Sequence, residues 1–384
     1  MHPMYRLAIR MLTGDRAKYL SLIFAIAFSS FLIAQQISVF FGLMDRTRSQ
    51  VKDVSDADIW VMDPATRYAD EVYPLKDSDL YRVRGVDGVR WAVPFFKGLP
   101  TAKASNGIFR VVILLGLDDA SLTGAPTKDK MLQGKVDNLR EPDTAIIDRA
   151  GYHFFFPGQP LALGRTLELN DHVVKIVGVV EASAPFTTFP VMYTRYTQAI
   201  GYVGRQRNLL SFVLVRGQFG GSTAELISRI QHSTGLKAAS TEDFGWMTIW
   251  YYVKNTGIPV NFSLTVIIAV IVGTVVSGQT FYIFTLENLK QFAALKAFGT
   301  SNGRIVSMIL LQAVLVGAIG LSIGLGMAAL FFLSFSKGDA TRGFILIWQV
   351  AAAASGAVLG IVSLASLLSV RKVVFLEPAA VFRG

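Results

Sequence analysis

The sequence predicts an α-helical membrane protein with four transmembrane helices, arranged one plus three, and a large mixed α/β extracytoplasmic domain between the first and the second. Three observations carry this expectation. Four runs contain no Asp, Glu, Lys or Arg: residues 19–44, 255–286, 305–336 and 343–370. Each is at least 26 residues long, and about 20 apolar residues suffice to cross a hydrocarbon core of roughly 30 Å. Between the first two runs lie residues 45–254, a length that suits a folded domain rather than a loop. Finally, segments 1–18, 287–304 and 371–384 together hold ten Lys/Arg against three Asp/Glu, whereas 45–254 holds 25 against 23. The positive-inside rule therefore puts the three basic segments, and both termini with them, in the cytoplasm, and the 45–254 domain outside.

The elements follow in order. Arg6, Arg10, Arg16 and Lys18 precede the first apolar run, which contains "AIA" at 25–27, the outline of a cleavable signal. Apolar character continues for well over ten residues beyond that point, so 19–44 is expected to stay as transmembrane helix 1. In 45–254, "ADIWVM" (57–62), "FRVVILLGLD" (109–118) and "LLSFVLVRG" (209–217) have strand composition. "STAELISRIQHSTG" reads as a helix with Ser222 or Thr223 as N-cap, Leu226, Ile227 and Ile230 on its apolar face, and Gly235 as its stop. "LKAAS" then returns as a strand, which makes a strand-helix-strand unit over about 209–241. Gly and Pro punctuate "TAIID" (144–148) and "VVKIVGVV" (173–180), predicting a mainly β lobe at about 119–204 inserted into the α/β domain.

Residues 255–286, 305–336 and 343–370 are transmembrane helices 2, 3 and 4, with a cytoplasmic segment at 287–304, an outer loop at 337–342 and a cytoplasmic tail at 371–384. Small residues recur four apart at Gly273/Ser277, Gly320/Gly324 and Gly356/Gly360, a spacing that lets helices approach closely in lipid. Gln279, Gln312 and Gln349 place one amide in each of the last three runs, and each is expected to face another helix or water.

Several function classes drop out. The net charge of +10 belongs mostly to membrane-flanking segments, not to a basic face with interleaved aromatics, so no nucleic acid is expected. There is no cysteine for disulfides or thiolate chemistry. His2, His153, His172 and His232 are scattered without metal-ligand or catalytic spacing, so neither a metal site nor a catalytic residue is expected. The G-x-x-x-x-G-K-[ST] phosphate loop is absent. The chain is thus expected to need no cofactor of its own and to be no enzyme, with ATP held by a partner.

The stretch "LENLKQFAALKAFGTSNGRI" (286–305) stands between two of the longest apolar runs. Leu289, Phe292, Leu295 and Phe298 recur every third residue, Lys290 and Lys296 add charge, Gly299 can end the helix left-handed, and Thr300 or Ser301 can cap the next. A mere connector needs no such ladder, and apolar side chains there want a partner surface.

"FAALKAFGTSNGRI" resembles the coupling segment of the FtsX/MacB class of ABC-transporter permeases. The tail "VRKVVFLEPAAVFRG", with Glu377, Pro378, Ala379 and Arg383, is similar to the closing signature of that class, and "LAIRMLTGDRAKYLSLIFAIAFSSFLIAQQ" to its N-terminal amphipathic helix and first span. Length and the "AALKA" at 293–297 resemble the DevC-like members most. The resemblance implies a homodimer in the bacterial inner membrane with a periplasmic domain and a cytoplasmic ABC ATPase on a separate chain. It further implies a membrane-fusion adaptor, an outer-membrane channel, contact with membrane lipid, and mechanical transmission that exports a lipid or other amphiphile. The alternative is an FtsX-like mechanotransmitter that regulates an extracytoplasmic enzyme or lipoprotein without export. On this footing Glu287, Lys290, Phe292, Leu295, Lys296, Phe298 and Gly299 are the expected ATPase-coupling residues. Leu295 and Phe298 would enter an apolar groove on the ATPase, Lys290 and Lys296 would meet acids at its rim, and Glu287 would pair with a base there.

Overall fold

The computed structural model describes residues 3–203, 210–218, 220–335, 338 and 344–375. Tail residues Glu377, Pro378, Ala379 and Arg383, and all of the 337–342 loop but Gly338, lie outside the described residues. In chain order, α1 (Pro3–Gly14) and α2 (Arg16–Thr47) come first. There follow α3 (Ser49–Asp53), β1 (Ile59–Met62), α4 (Asp77–Arg84), β2 (Val89–Gly98), β3 (Thr101–Ala104), β4 (Phe109–Val111), β5 (Ile113–Leu117), β6 (Met131–Gly134) and β7 (Thr144–Asp148). Next are α5 (Arg149–Phe155), β8 (Thr166–Leu169), β9 (His172–Val180), β10 (Val191–Arg195), α6 (Tyr196–Val203), β11 (Phe212–Gly217), α7 (Thr223–Thr234), β12 (Lys237–Ser240) and α8 (Thr241–Asn255). Helices α9 (Ile258–Glu287), α10 (Leu289–Ala297), α11 (Asn302–Phe335) and α12 (Trp348–Val374) are the last elements among the described residues. Two compact units result, Leu43–Thr256 and Met1–Gly42 with Gly257–Gly384.

Leu43–Thr256 is a mixed α/β unit on one sheet of order β12-β1-β11-β2-β5-β10-β7-β9-β8-β3-β4, with β6 beside β9. Its strands are buried on both faces (Ile59–Met62, Ile113–Leu117 and Thr144–Asp148 throughout), so they read as apolar runs instead of alternating ones. On one face Trp60 meets Phe95, Phe212 and Phe244 edge-on or tilted at 5.3–5.4 Å. On another, Val213, Val215, Leu226 and Ile230 join α4 and α7 to the sheet. Helix α7 starts where the Ser222 hydroxyl accepts from the Glu225 N–H and stops at Gly235, whose φ of +67° a side chain would oppose.

The β-rich lobe begins earlier than residue 119. "FRVVILLGLD" breaks at Val112 into β4, paired with β3, and β5, paired with β2 and β10, while β3 also pairs with β8. Strand β2 is the shared element: its Val89–Phe95 stretch pairs with β11 and Phe96–Gly98 pairs with β5. The boundary is thus set by long-range pairing, which leaves no local mark at Gly98. Short helix α3 is pinned by buried polar contacts. Asp53 accepts from Lys130 Nζ (2.7 Å), the Ser183 N–H (2.7 Å) and the Ser183 hydroxyl (2.5 Å). Lys97 Nζ donates to Gln50 Oε1 (2.8 Å), the Ala69 carbonyl (2.9 Å) and Asp70 Oδ1 (2.5 Å).

In the other unit α2, α9, α11 and α12 are long and apolar enough to cross a membrane. Each helix begins or ends beyond its charge-free run, because a helix stops at a cap or turn and not where hydrocarbon ends. Gly320 and Gly324 of α11 lie against α2: a Cβ added there would fall 2.7 Å from Ile26 Cγ2 and 2.5 Å from the Ala27 carbonyl oxygen. A Cβ at Gly273 would fall 2.5 Å from Ser29 Oγ, and Ser277 is fully buried one turn on. Around Gly356 and Gly360, by contrast, no described atom lies within 4 Å of such a Cβ. Buried Gln312 donates from Nε2 to the Ala8 carbonyl (2.7 Å), which ties α11 to α1, whereas Gln279 and Gln349 are exposed.

Candidate functional site

The ladder in α10 has one consequence that its spacing dictates. At about 100° per residue, three-residue steps drift by roughly 60° each, so the ladder winds around the helix and its two ends, Leu289 and Phe298, lie on roughly opposite sides. Phe292 points inward, fully buried with Ile305, Ile309 and Val373; Leu295 sits at the edge of that cluster; Phe298 is 88% exposed. Lys296 Nζ reaches back to the Val374 carbonyl (2.9 Å), while Lys290 is exposed. One side of the helix is thus fixed to α11 and α12, and the other is presented.

The helix ends in a Schellman turn. The Thr300 N–H donates to the Leu295 carbonyl (3.0 Å) and the Gly299 N–H to the Lys296 carbonyl (2.9 Å), with Gly299 at φ +87°. Phe298 is the residue just before that glycine, so its backbone is held by two hydrogen bonds although its ring touches solvent. An exposed phenylalanine on a fixed backbone is a preorganised contact.

Beside it runs a groove of about 630 Å³, walled by Leu7 and Met11 of α1 and by Phe284, Leu295 and Phe298. Arg10, Asp15 and Glu287 stand at its rim. Glu287 pairs within the chain with Lys18, which also holds Asp15 Oδ2 at 2.9 Å. The hydrogen bond from Lys18 keeps the Asp15 carboxyl below the ordinary carboxylate range. Two expectations change accordingly: the described structure gives Glu287 a partner on α2, and it buries Phe292 inside the unit. Leu295, Phe298 and the charged Lys290 remain on or near the surface. Leu7, Arg10 and Met11 were not among the expected residues. Their signal was a second apolar pair on α1, Leu7 and Met11 four apart, beside the buried pair Ala8 and Leu12.

Elsewhere, among the described residues, no group of three or more His, Cys, Asp or Glu could hold a metal ion. In the α/β unit the strongest carboxylate perturbation is at Glu71, pulled down to about 2 by Arg67, whose guanidinium binds it at 2.6 Å. Arg67 also lies over the Tyr251 ring, so this is an ion pair inside a stacked aromatic patch and not an acid-base dyad.

A family model for the FtsX-like permease C-terminal domain matches residues 262–378, and one for the MacB-like periplasmic core domain matches residues 22–233. An uncharacterized ABC transporter permease of Mycobacterium tuberculosis, found in strains CDC 1551 / Oshkosh and ATCC 25618 / H37Rv, is 25% identical over 315 residues, covering 81% of this chain and 80% of the relative. Among solved structures, the extracellular domain of the noncanonic ABC-type transporter YknZ from Gram-positive bacteria is similar, with a TM-score of 0.36 and 16% identity, covering 48% of this chain and 98% of that one. The periplasmic region of MacB from Actinobacillus actinomycetemcomitans has a TM-score of 0.37 and 15% identity, with coverage of 54% and 96%.

Proposed function

This chain belongs to the FtsX/MacB-type family of ABC-transporter permeases, and on that premise we propose that it is the non-catalytic half of an export machine whose motor seats on α10. The observation that carries the reading is Phe298, 88% exposed on a backbone locked by the Schellman turn and flanked by the Leu7–Met11–Leu295 groove. A cytoplasmic ABC ATPase supplies the nucleotide site, and its face covers Phe298 and places an apolar side chain in the groove. Lys290 meets an acid at the contact's edge. With Phe292 and Lys296 already anchored to α11 and α12, a push on α10 moves those helices as a body instead of bending a loop.

The α/β unit, placed outside the membrane by the charge asymmetry of the sequence, receives that motion and contacts an adaptor leading to an outer-membrane channel. The cargo class that fits the reading is a lipid or other amphiphile. Burying one large apolar side chain is worth roughly 1.5–3 kcal/mol, while an exposed ion pair contributes about 0–1 kcal/mol. Phe298→Glu should therefore strip the ATPase from membranes that contain normal amounts of the permease, and Lys290→Ala should weaken retention only slightly. The test is an affinity pull-down from those membranes, variant beside wild type; equal ATPase retention by Phe298→Glu would remove α10 as the docking foot.

A further inference from the structure

Helix α8 packs one side on the sheet and leaves two tryptophans on the other. Phe244 and Thr248 are fully buried, Phe244 against Trp60. At about 100° per residue, Trp246, Trp250 and Val253 fall within a sector of about 60° on the opposite side. Trp246 is 46% exposed and Trp250 53%, although tryptophan has more apolar surface to bury than other side chains and is mostly covered in folded proteins. A cation attends each ring: Arg48 Cζ lies 5.3 Å from the centre of Trp246, and Lys254 Nζ 5.7 Å from that of Trp250. Arg48 is paired with Asp45. Lys254 is exposed, and among the described residues no carboxylate pairs with it. The exposed acids of the helix, Glu242 and Asp243, sit in its first turn, so the stripe runs from anionic to cationic toward Asn255.

Chain connectivity sets what lies at the cationic end. Helix α8 ends at Asn255 and α9 starts at Ile258. The 30 residues of α9 span about 45 Å, the thickness of a bilayer with its headgroups rather than of its hydrocarbon core, so the ends of α9 reach the headgroups. From Trp250, the rest of α8 and three extended residues reach no further than about 20 Å from that start. An indole, with an apolar body and one N–H donor, favours the headgroup layer, and an ammonium without a carboxylate beside it suits a lipid phosphate. We propose that the Trp246–Trp250–Val253 face of α8 rests in the headgroup layer on the side of the α/β unit, with Lys254 on phospholipid phosphate, and holds that unit against the membrane. This holds or fails independently of where the ATPase docks and of what is exported.

The chain has no cysteine, so one nitroxide label on a single introduced cysteine reports one position of the full-length protein. The purified permease, with no other protein, is placed in nanodiscs of phosphatidylcholine and phosphatidylglycerol with the label at Val253→Cys. Ile271→Cys, exposed on α9, is the lipid-facing reference and Ser78→Cys, exposed on α4, the aqueous one. The preference of the label for collision with oxygen over a nickel chelate should be several-fold higher at position 253 than at 78, and lower than at 271. Adding Trp246→Ala and Trp250→Ala together should drop position 253 to the value of position 78, whereas the pair Trp246→Phe and Trp250→Phe should keep most of the preference. Lys254→Glu should reduce it as the phosphatidylglycerol content rises. A label at 253 as open to the nickel chelate as the one at 78, the result expected if another protein species covers this face, would overturn the proposal. So would spin–spin broadening with shielding from both reagents, the mark of a second copy on this face, or a preference that the alanine pair leaves unchanged.

Discussion

Phe292 and Phe298 are six residues apart in one short helix and have opposite surroundings, the first fully buried and the second 88% exposed. Phe292→Ala should destabilise the helical unit by roughly 3–5 kcal/mol, whereas Phe298→Ala should leave thermal unfolding unchanged while weakening ATPase binding; melting curves of the two purified variants separate these outcomes. In the α/β unit the buried Asp53 carboxylate is held by Lys130 and Ser183, and Asp53→Ala leaves that lysine without its partner. Lys130 is partly exposed and can turn to water, so the loss is that of the hydrogen bonds to the buried carboxylate, roughly 1–3 kcal/mol, read as a lower unfolding midpoint. Glu71 provides a pH test. Its carboxyl, held near 2 by Arg67 against an ordinary 4.5, binds protons more weakly folded than unfolded. Its stabilisation is therefore complete above about pH 4.5 and fades as pH falls toward 2. The stability gap between wild type and Glu71→Gln should shrink over that window and stay constant from pH 6 to 8. None of these burial states could be read from residue type alone: the three-residue ladder shows that its members wind around the helix, but not which of them faces in.

At the scale of elements, legibility followed the range of the forces involved. Helix α7 was readable because Ser222 and Gly235 cap it locally, and Gly299 because a left-handed stop needs a glycine. Residue Gly299→Ala should cost roughly 1–2 kcal/mol through its positive φ, with Gly299→Asn milder, and limited proteolysis between α10 and α11 should accelerate in the same order. The beginning of the β lobe was not readable, since β2 divides its pairing between β11 and β5 without a turn residue to mark the change. Nor was the part of α1 in the groove, because amphipathicity says that a helix has an apolar side but not that two neighbouring stripes meet different partners.

For the whole molecule, the four charge-free runs were legible because the membrane imposes a minimum apolar length that no soluble helix requires. What charge adds is orientation: reporter fusions after residues 130 and 338 should signal the outer compartment, and those after 295 and 384 the cytoplasm. An odd number of crossings by this assay would undo the arrangement on which the coupling reading depends. The docking of the motor on α10 is tested most directly at Phe298 itself. A photoreactive benzoylphenylalanine replacing Phe298 preserves the apolar ring, and illumination of intact membranes should yield an adduct with the mass of permease plus one ATPase chain. The same residue placed at Leu310 should yield none. Adducts at position 298 with lipid alone, or none at all in membranes that contain the ATPase, would contradict the assignment.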